Sequence, residues 1–330
     1  MLSKNEWDPL KKVIVGIADD AKIPEVDISL RTINYADKKD SSEIRSGAYP
    51  RQVIEEANED LEVFCDFLRK EGVEVVRPDK NVVPQYYNYC PRDGVLIHKD
   101  LILATPQPLR ARHNEFMSMD SHFKQLSNNG ARYIVKHAEK NDNLYNEKCL
   151  GDRDTLALTD VEPAFDAANI IRDNDNLYYL ISNGGNQAGA HYLQDLVGNS
   201  AKVWTVKDIY SFMHIDSTIA LLREGLMLLN PSRIKSVDQL PKPLQSWDVI
   251  WAPEPVDIGH YPGYCGSSPW LNINLFSVNP NLVALEEKQH NLRIELEKRG
   301  IDCAMLPGRH QRTLSGGFHC VTLDLIRDHS

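Results

Sequence analysis

No stretch of the 330 residues approaches the run of about 20 apolar residues that a membrane-spanning helix needs. The start, Met1-Leu2-Ser3-Lys4-Asn5-Glu6-Trp7-Asp8-Pro9, also lacks the apolar core of a secretory signal, so a cytoplasmic protein with no membrane partner is expected. Basic charge is in the minority: 37 lysines and arginines against 47 aspartates and glutamates leave a net charge of −10. No basic run interleaved with aromatics could follow a phosphate backbone, so nucleic acid is not an expected partner. Cysteines are not paired in sequence. Cys65, Cys90, Cys149, Cys265, Cys303 and Cys320 contain no Cys-x-x-Cys and lie too far apart for a zinc ribbon or finger. A chain of this length needs no disulfide staples, and reduced thiols are expected. No proline- or glycine-rich linker divides the chain, which reads as one domain over residues 1–330.

Nucleotide and metal signatures are missing too. Gly184-Gly185-Asn186-Gln187-Ala188-Gly189 lies between a strand-like and a helix-like segment but matches neither Gly-x-Gly-x-x-Gly nor a Walker loop, and is read as a turn. There is no His-Glu-x-x-His and no EF-hand loop, so no cofactor is expected.

What is present is a repeated unit. Arg51 to Lys70 places Ile54, Ala57, Leu61, Phe64 and Leu68 at helical spacing, stops at Gly72 and passes into strand-like Val73-Glu74-Val75-Val76-Arg77-Pro78. Leu292 and Leu296 lead in the same way through Gly300 to Ile301-Asp302-Cys303-Ala304-Met305-Leu306-Pro307. Weaker copies cross Gly130 and Gly198, and a fifth without glycine runs from Ile234 through Leu240 into Asp248-Val249-Ile250-Trp251. Further strand candidates lie between, among them Val95 to His98, Leu101 to Ala104, Ala168 to Ile171 and Leu226 to Leu229. The chain reads as five strand-rich modules with about one helix each. A doubly wound α/β sheet shares that alternation and stays open on pattern alone.

Four clusters bear chemistry. Ser315-Gly316-Gly317-Phe318-His319-Cys320 carries two glycines that permit close approach of backbone to a ligand, followed by a cysteine entering an alternating run with Thr322 and Asp324. Pro91-Arg92-Asp93 precedes apolar Val95-Leu96-Ile97, and Glu162-Pro163-Ala164-Phe165-Asp166 precedes Ile170-Ile171-Arg172. In Met213-His214-Ile215-Asp216-Ser217-Thr218, strand period would put His214, Asp216 and Thr218 on one face. Each has a plainer alternative: a cysteine as core hydrophobe, an aspartate as turn residue, His-x-Asp as half a metal site. Together they fit one task. A thiol needs a base or cation to become nucleophilic, the base needs an orienting carboxylate, and a cationic substrate needs carboxylates to hold it.

On these residues the chain resembles the arginine:glycine amidinotransferase family, within the guanidino-modifying superfamily that includes arginine deiminases and dimethylarginine hydrolases. The matching motifs run nearly end to end: Glu6-Trp7-Asp8-Pro9-Leu10, Val13-Ile14-Val15-Gly16, Arg77-Pro78-Asp79, Pro91-Arg92-Asp93, Phe165-Asp166-Ala167-Ala168, Met213-His214-Ile215-Asp216, Asn230-Pro231 and Gly316-Gly317-Phe318-His319-Cys320. The resemblance implies a single-domain, five-bladed pseudo-symmetric α/β propeller of the pentein type, with a central site and a homodimeric assembly. It implies Cys320 as nucleophile, His214 as acid/base, Asp166 as its carboxylate, and Asp93 and Asp216 as the guanidinium grip. It also implies Arg233 for the donor α-carboxylate, Met213 beside the site, and Ser267 and Ser268 at the α-carbon end. The implied reaction moves the amidino group of L-arginine through an amidino-cysteine to a small amine, with glycine leading, to give ornithine and guanidinoacetate.

Departures cluster on the acceptor side. Ser315 stands where the glycine-using enzymes have a third glycine, Val321 replaces a tryptophan, Asn169 an aspartate, and Ser211 an asparagine. Lysine or an aminocyclitol is therefore an alternative acceptor. A superfamily hydrolase and an arginine-binding protein without turnover are the other readings, and the complete Cys320, His214 and Asp166 set argues against the last.

Overall fold

Each module folds as a strand hairpin followed by a crossover to a third strand, and the ends of the chain share one module. The computed structural model describes residues 2–38, 40–80, 88–137, 141–152, 154–210 and 212–329. In the first sheet, Leu10–Val15 pairs antiparallel with Thr322–Arg327 and parallel with Glu74–Val76. The second comprises Val95–His98, Leu101–Ala104 and Arg132–Val135, and the third Ile170–Asp173, Asn176–Leu180 and Lys202–Val206. Ile219–Arg223, Leu226–Leu229 and Asp248–Trp251 form the fourth, and Phe276–Asn279, Leu282–Glu286 and Asp302–Leu306 the fifth. All five repeat one pattern: an antiparallel pair, then a parallel third strand. This excludes a single doubly wound sheet.

Helices supply four of the crossovers. Arg51–Lys70 buries Val53, Ala57, Leu61, Phe64 and Leu68 along one face and stops at Gly72, whose φ of +80° is the left-handed conformation a helix end favours. Asp120–Asn128, Gln187–Val197 and His290–Glu297 do the same for the second, third and fifth sheets. The fourth differs from the one-helix-per-module expectation: two 3-10 turns, Val237–Gln239 and Lys242–Leu244, replace the helix. Pro241 and Pro243 withhold backbone donors, which suits short turns better than an α-helix.

The apolar core is divided into wedges between neighbouring sheets. Ile14, Leu323 and Leu325 of the first sheet pack with Val95, Ile97 and Ile102 of the second, and the second meets the third through Leu101, Leu103, Leu177 and Tyr179. Tyr178 and Leu180 meet Ile219 and Met227, and Leu226 and Leu228 meet Val283 and Leu285. Phe276 and Val278 of the fifth sheet return to Val13 and Val15 of the first, closing the ring. The protein is thus a five-bladed pseudo-symmetric α/β propeller, with its first blade stitched from both chain ends.

Where the inner strands begin, short turns converge. Pro91–Asp93, Ala167–Asn169, Ile215–Ser217 and Pro269–Ile273 are 3-10 turns just before the first strands of blades two to five, and residues 318–321 form the corresponding turn before Thr322. Two expectations change here. Residues 214–218 do not form a strand, because Ile215–Ser217 closes a 3-10 turn and the strand starts at Ile219. Cys320 likewise sits in the turn, two residues before its strand. A turn lets consecutive side chains point inward, which strand alternation would forbid.

Behind these turns lies a buried ion network. Arg172 donates to both oxygens of Glu6 and of Asp324 at 2.8 Å, while Arg92 and Arg327 reach Asp324 at 2.8 and 2.6 Å.

Candidate active site

Four of these turns bring Asp93, Asp166, His214, Asp216 and Cys320 to one buried place, and the fifth ends at Asn274 beside them. His214 lies between two carboxylates: its Nε2 meets Asp166 Oδ2 at 2.9 Å, and its Nδ1 is 3.7 Å from Asp93 Oδ1. The Cys320 thiol donates to Asp216 Oδ2 at 3.3 Å, and the same oxygen meets His319 Nδ1 at 2.9 Å. Asn274 holds the turn that carries Cys320, since its Oδ1 accepts from the backbone N–H of His319 at 3.0 Å and of Cys320 at 3.2 Å. Its Nδ2 donates to the Asp216 carbonyl at 3.3 Å, tying that turn to the fourth blade. Among the described residues, Asp93 Oδ1 is buried without a hydrogen-bond partner. An unsatisfied buried carboxylate oxygen is costly, and beside a cysteine and an imidazole it marks a position a cationic ligand would fill.

Charge at the site follows from burial and neighbours. Burial alone would favour neutral imidazole, but Asp93 and then Asp166 raise the His214 pKa to about 9, so His214 is an imidazolium at neutral pH. Burial also opposes ionisation of Asp216; His319 and then His214 overcome this and hold its carboxyl far below the usual range. Asp93 goes the other way, its pKa raised by burial against the pull of His214 and Arg112. Contact with the Cys90 thiol, burial, and the charge of Asp216 all push the Cys320 thiol well above its ordinary value. Cys320 is therefore a neutral thiol, not an imidazolium-paired thiolate, because it faces a carboxylate and a second thiol. Among the described residues no group of three His, Cys, Asp or Glu side chains has metal-binding geometry.

No family model matches the chain. It is 40% identical to inosamine-phosphate amidinotransferase 1 of Streptomyces griseus over 337 residues, spanning 98% of this chain and 96% of that protein. The mitochondrial glycine amidinotransferase of Gallus gallus is 31% identical, over 98% of this chain and 82% of its own length. The solved structure of the Streptomyces griseus inosamine-phosphate amidinotransferase superposes with a TM-score of 0.94 at 39% identity, over 100% of this chain and 97% of that one. The chain belongs to the amidinotransferase family.

The remaining residues singled out from the sequence lie in turns and loops. Arg233 donates from Nη1 to Ser217 Oγ at 2.9 Å and Thr218 Oγ1 at 2.6 Å, and its guanidinium lies over the Tyr210 ring at 3.5 Å. It has no ion pair among the described residues. Met213 packs on a separate apolar cluster with Leu109, Tyr145, Leu158 and Tyr264. Ser267 and Ser268 stand just before the fifth-blade turn; Ser267 accepts from Arg312 through its carbonyl, while its hydroxyl is buried without a partner among the described residues. Ser211 lies outside the described residues.

The motif glycines approach protein rather than a ligand. A Cβ at Gly317 would come within 2.6 Å of Asn274 Cβ, and one at Gly316 within 2.5 Å of Cys90 Sγ. Ser315 keeps a φ of 58°, the left-handed conformation that explains a glycine at this point in the related motif. The turn at Gly184 backs the site: its carbonyl accepts from Asp166 N–H at 2.8 Å, and a Cβ there would lie 3.2 Å from His214 Cδ2. Sequence reasoning missed Asn274, Cys90, Gln107 and Arg112. Asn274 had a signal, since it lies just before the fifth module's first strand, where the other modules carry Asp93, Asp166, Asp216 and Cys320.

Proposed function

We propose that Cys320, His214, Asp166, Asp93 and Asp216 transfer the amidino group of L-arginine to a primary amine by a two-step covalent route. The observation that carries this reading is a buried thiol, an imidazolium and an unsatisfied carboxylate meeting at one point in an amidinotransferase. Arginine's guanidinium keeps its charge at neutral pH. Seated against Asp93 Oδ1 and Asp216, it offsets the negative charge that holds the Cys320 proton, and that proton leaves to solvent as the cation arrives. The thiolate then attacks the guanidinium carbon. Imidazolium His214 protonates the departing nitrogen, ornithine leaves, and an amidino-cysteine remains. The acceptor amine adds to that carbon and gives a proton to the now neutral His214; collapse returns Cys320 thiolate and releases the guanidino product. Arg233 would hold the donor carboxylate, with Met213, Ser267 and Ser268 around the donor chain.

For the acceptor, an aminocyclitol phosphate is the reading favoured by the higher identity to inosamine-phosphate amidinotransferases. Glycine, at the lower identity, is the second reading. We also propose a homodimer, which light scattering of the purified protein tests.

The deciding experiment is mass spectrometry of protein and products after incubation with L-arginine and, separately, an inosamine phosphate, glycine or L-lysine. Ornithine with an amidino adduct on Cys320, discharged by one amine, is the expected result and names the acceptor. Citrulline or urea formed without any amine would replace transfer by hydrolysis.

A further inference from the structure

One loop after the second blade's hairpin reaches both carboxylates that flank His214. Gln107 Nε2 donates to Asp166 Oδ1 at 3.2 Å, and Arg112 Nη1 donates to Asp93 Oδ2 at 2.6 Å. Both donors are buried, at 2% and 3% exposure. Arg112 is itself held by Glu115 at 2.7 Å and the Cys90 carbonyl at 3.3 Å, and the loop is pinned where Tyr145 donates to the Pro108 carbonyl at 2.8 Å. In each aspartate the loop occupies one oxygen. The other is left to the site: Asp166 Oδ2 meets His214, and Asp93 Oδ1 lies 3.7 Å from His214 Nδ1 with no hydrogen-bond partner among the described residues.

The two donors differ in charge, and the difference matches the work of their partners. Asp93 faces His214, Asp166, Arg112 and the Cys320 thiol. A second carboxylate nearby favours its protonated form, and a protonated Asp93 could not accept a guanidinium; the Arg112 cation opposes that. Asp166 receives a neutral amide, which orients the carboxylate without cancelling the charge that sustains the His214 imidazolium. We propose that Gln107 and Arg112 are positioning residues that divide the two carboxylates by task, Arg112 preparing Asp93 for the donor guanidinium and Gln107 fixing Asp166 behind His214. This rests on the function proposed above.

The test combines R112Q, R112K and Q107L with steady-state kinetics on L-arginine and NMR titration of the His214 imidazole. In R112Q the KM for L-arginine is expected to rise about tenfold or more, as for loss of a charge-assisted contact, with kcat within about threefold. The KM defect grows as pH falls, because Asp93 protonates at a higher pH without its cation, and R112K recovers most of the loss. Q107L is expected to lower kcat about tenfold with KM nearly unchanged, and to lower the His214 titration midpoint by about 1 pH unit. Equal effects of R112Q and Q107L on KM and kcat in proteins of wild-type melting temperature would overturn the division, as would R112K no better than R112Q. Calorimetry of L-arginine binding to the Cys320→Ala protein separates this from the proposed function. Absence of binding there refutes the function, whereas an unmoved His214 midpoint in Q107L refutes the positioning role whether or not arginine binds.

Discussion

Two clusters of buried charge lie a residue or two apart in this propeller and are built on opposite principles. Around Arg172, every carboxylate oxygen is answered: Glu6 Oε1 takes two donors from Arg172, Glu6 Oε2 meets Arg172 and His319, and both oxygens of Asp324 receive guanidinium donors. Around Cys320 the account is left open, with Asp93 Oδ1 and Asn169 Oδ1 buried and unpartnered among the described residues. His319 joins the two, reaching Asp216 from one ring nitrogen and Glu6 from the other. Residue type does not separate scaffold from site, since both use buried aspartates. Saturation does: a fully paired network resists rearrangement, while an unpaired oxygen keeps its desolvation cost until a ligand arrives.

The comparison breaks most visibly at Cys320. Cys320→Ala is expected to abolish ornithine release while leaving the urea midpoint near wild type; a protein that unfolds instead would make Cys320 a core residue. Arg172→Met strips Glu6 and Asp324 of their shared cation and should cost about 3–5 kcal/mol, or prevent folding, by chemical denaturation. A loss below about 1 kcal/mol would show that the buried network around Arg172 is not structural. Asp93→Asn tests the other side: it should weaken L-arginine binding by about 1.5–3 kcal/mol while leaving stability unchanged or slightly raised, because ionised Asp93 opposes folding above its ordinary pKa. Asp324→Asn should instead leave L-arginine binding near wild type and lower stability, because its charge answers Arg92, Arg172 and Arg327.

Two pH profiles sharpen the contrast. Ornithine release should fall as pH rises through about 9, where His214 loses the proton it donates, and rapid-quench measurement across that range checks it. The same raised pKa contributes stability that is complete below the ordinary histidine value and lost as pH climbs through about 9. His98 is a scaffold residue that breaks the saturation rule, since neither ring nitrogen has a partner among the described residues and burial lowers its pKa to about 3. The unfolded chain binds that proton below about pH 6.5 and the fold does not, so stability drains as pH falls from there towards 3. His98→Leu should flatten that acid loss by about 1–3 kcal/mol at pH 4 in denaturation series, and an unchanged slope would assign the acid sensitivity elsewhere.

Legibility in the sequence tracks how local each feature is. Val95 to His98, Leu101 to Ala104, Leu226 to Leu229 and Asp248 to Trp251 are strands at the bounds expected, because apolar runs between turn residues are local signals. Residues 214–218 alternate like a strand but form a turn, since alternation does not distinguish a short strand from a 3-10 turn before one. The fourth blade lacks its helix for a reason visible in Pro241 and Pro243. Asp93, Asp166, His214, Asp216 and Cys320 stood out because each lies beside an apolar, strand-like run, and their roles were implied by the family resemblance. Gln107 and Arg112 sit in a loop with no periodicity, and nothing local says which carboxylate each will meet.

By itself, the sequence determined the number of modules, their strand–crossover–strand order and the residue types available to the chemistry, all of which depend on spacing and propensity over a few residues. Only the tertiary structure decided which oxygens stay unpaired, that Cys320 rests as a neutral thiol, and that one loop serves both carboxylates beside His214. The physical reason is that desolvation and Coulomb interactions depend on distances across the ring, between residues as far apart as Glu6 and His319, which are set only when the last strand pairs with the first.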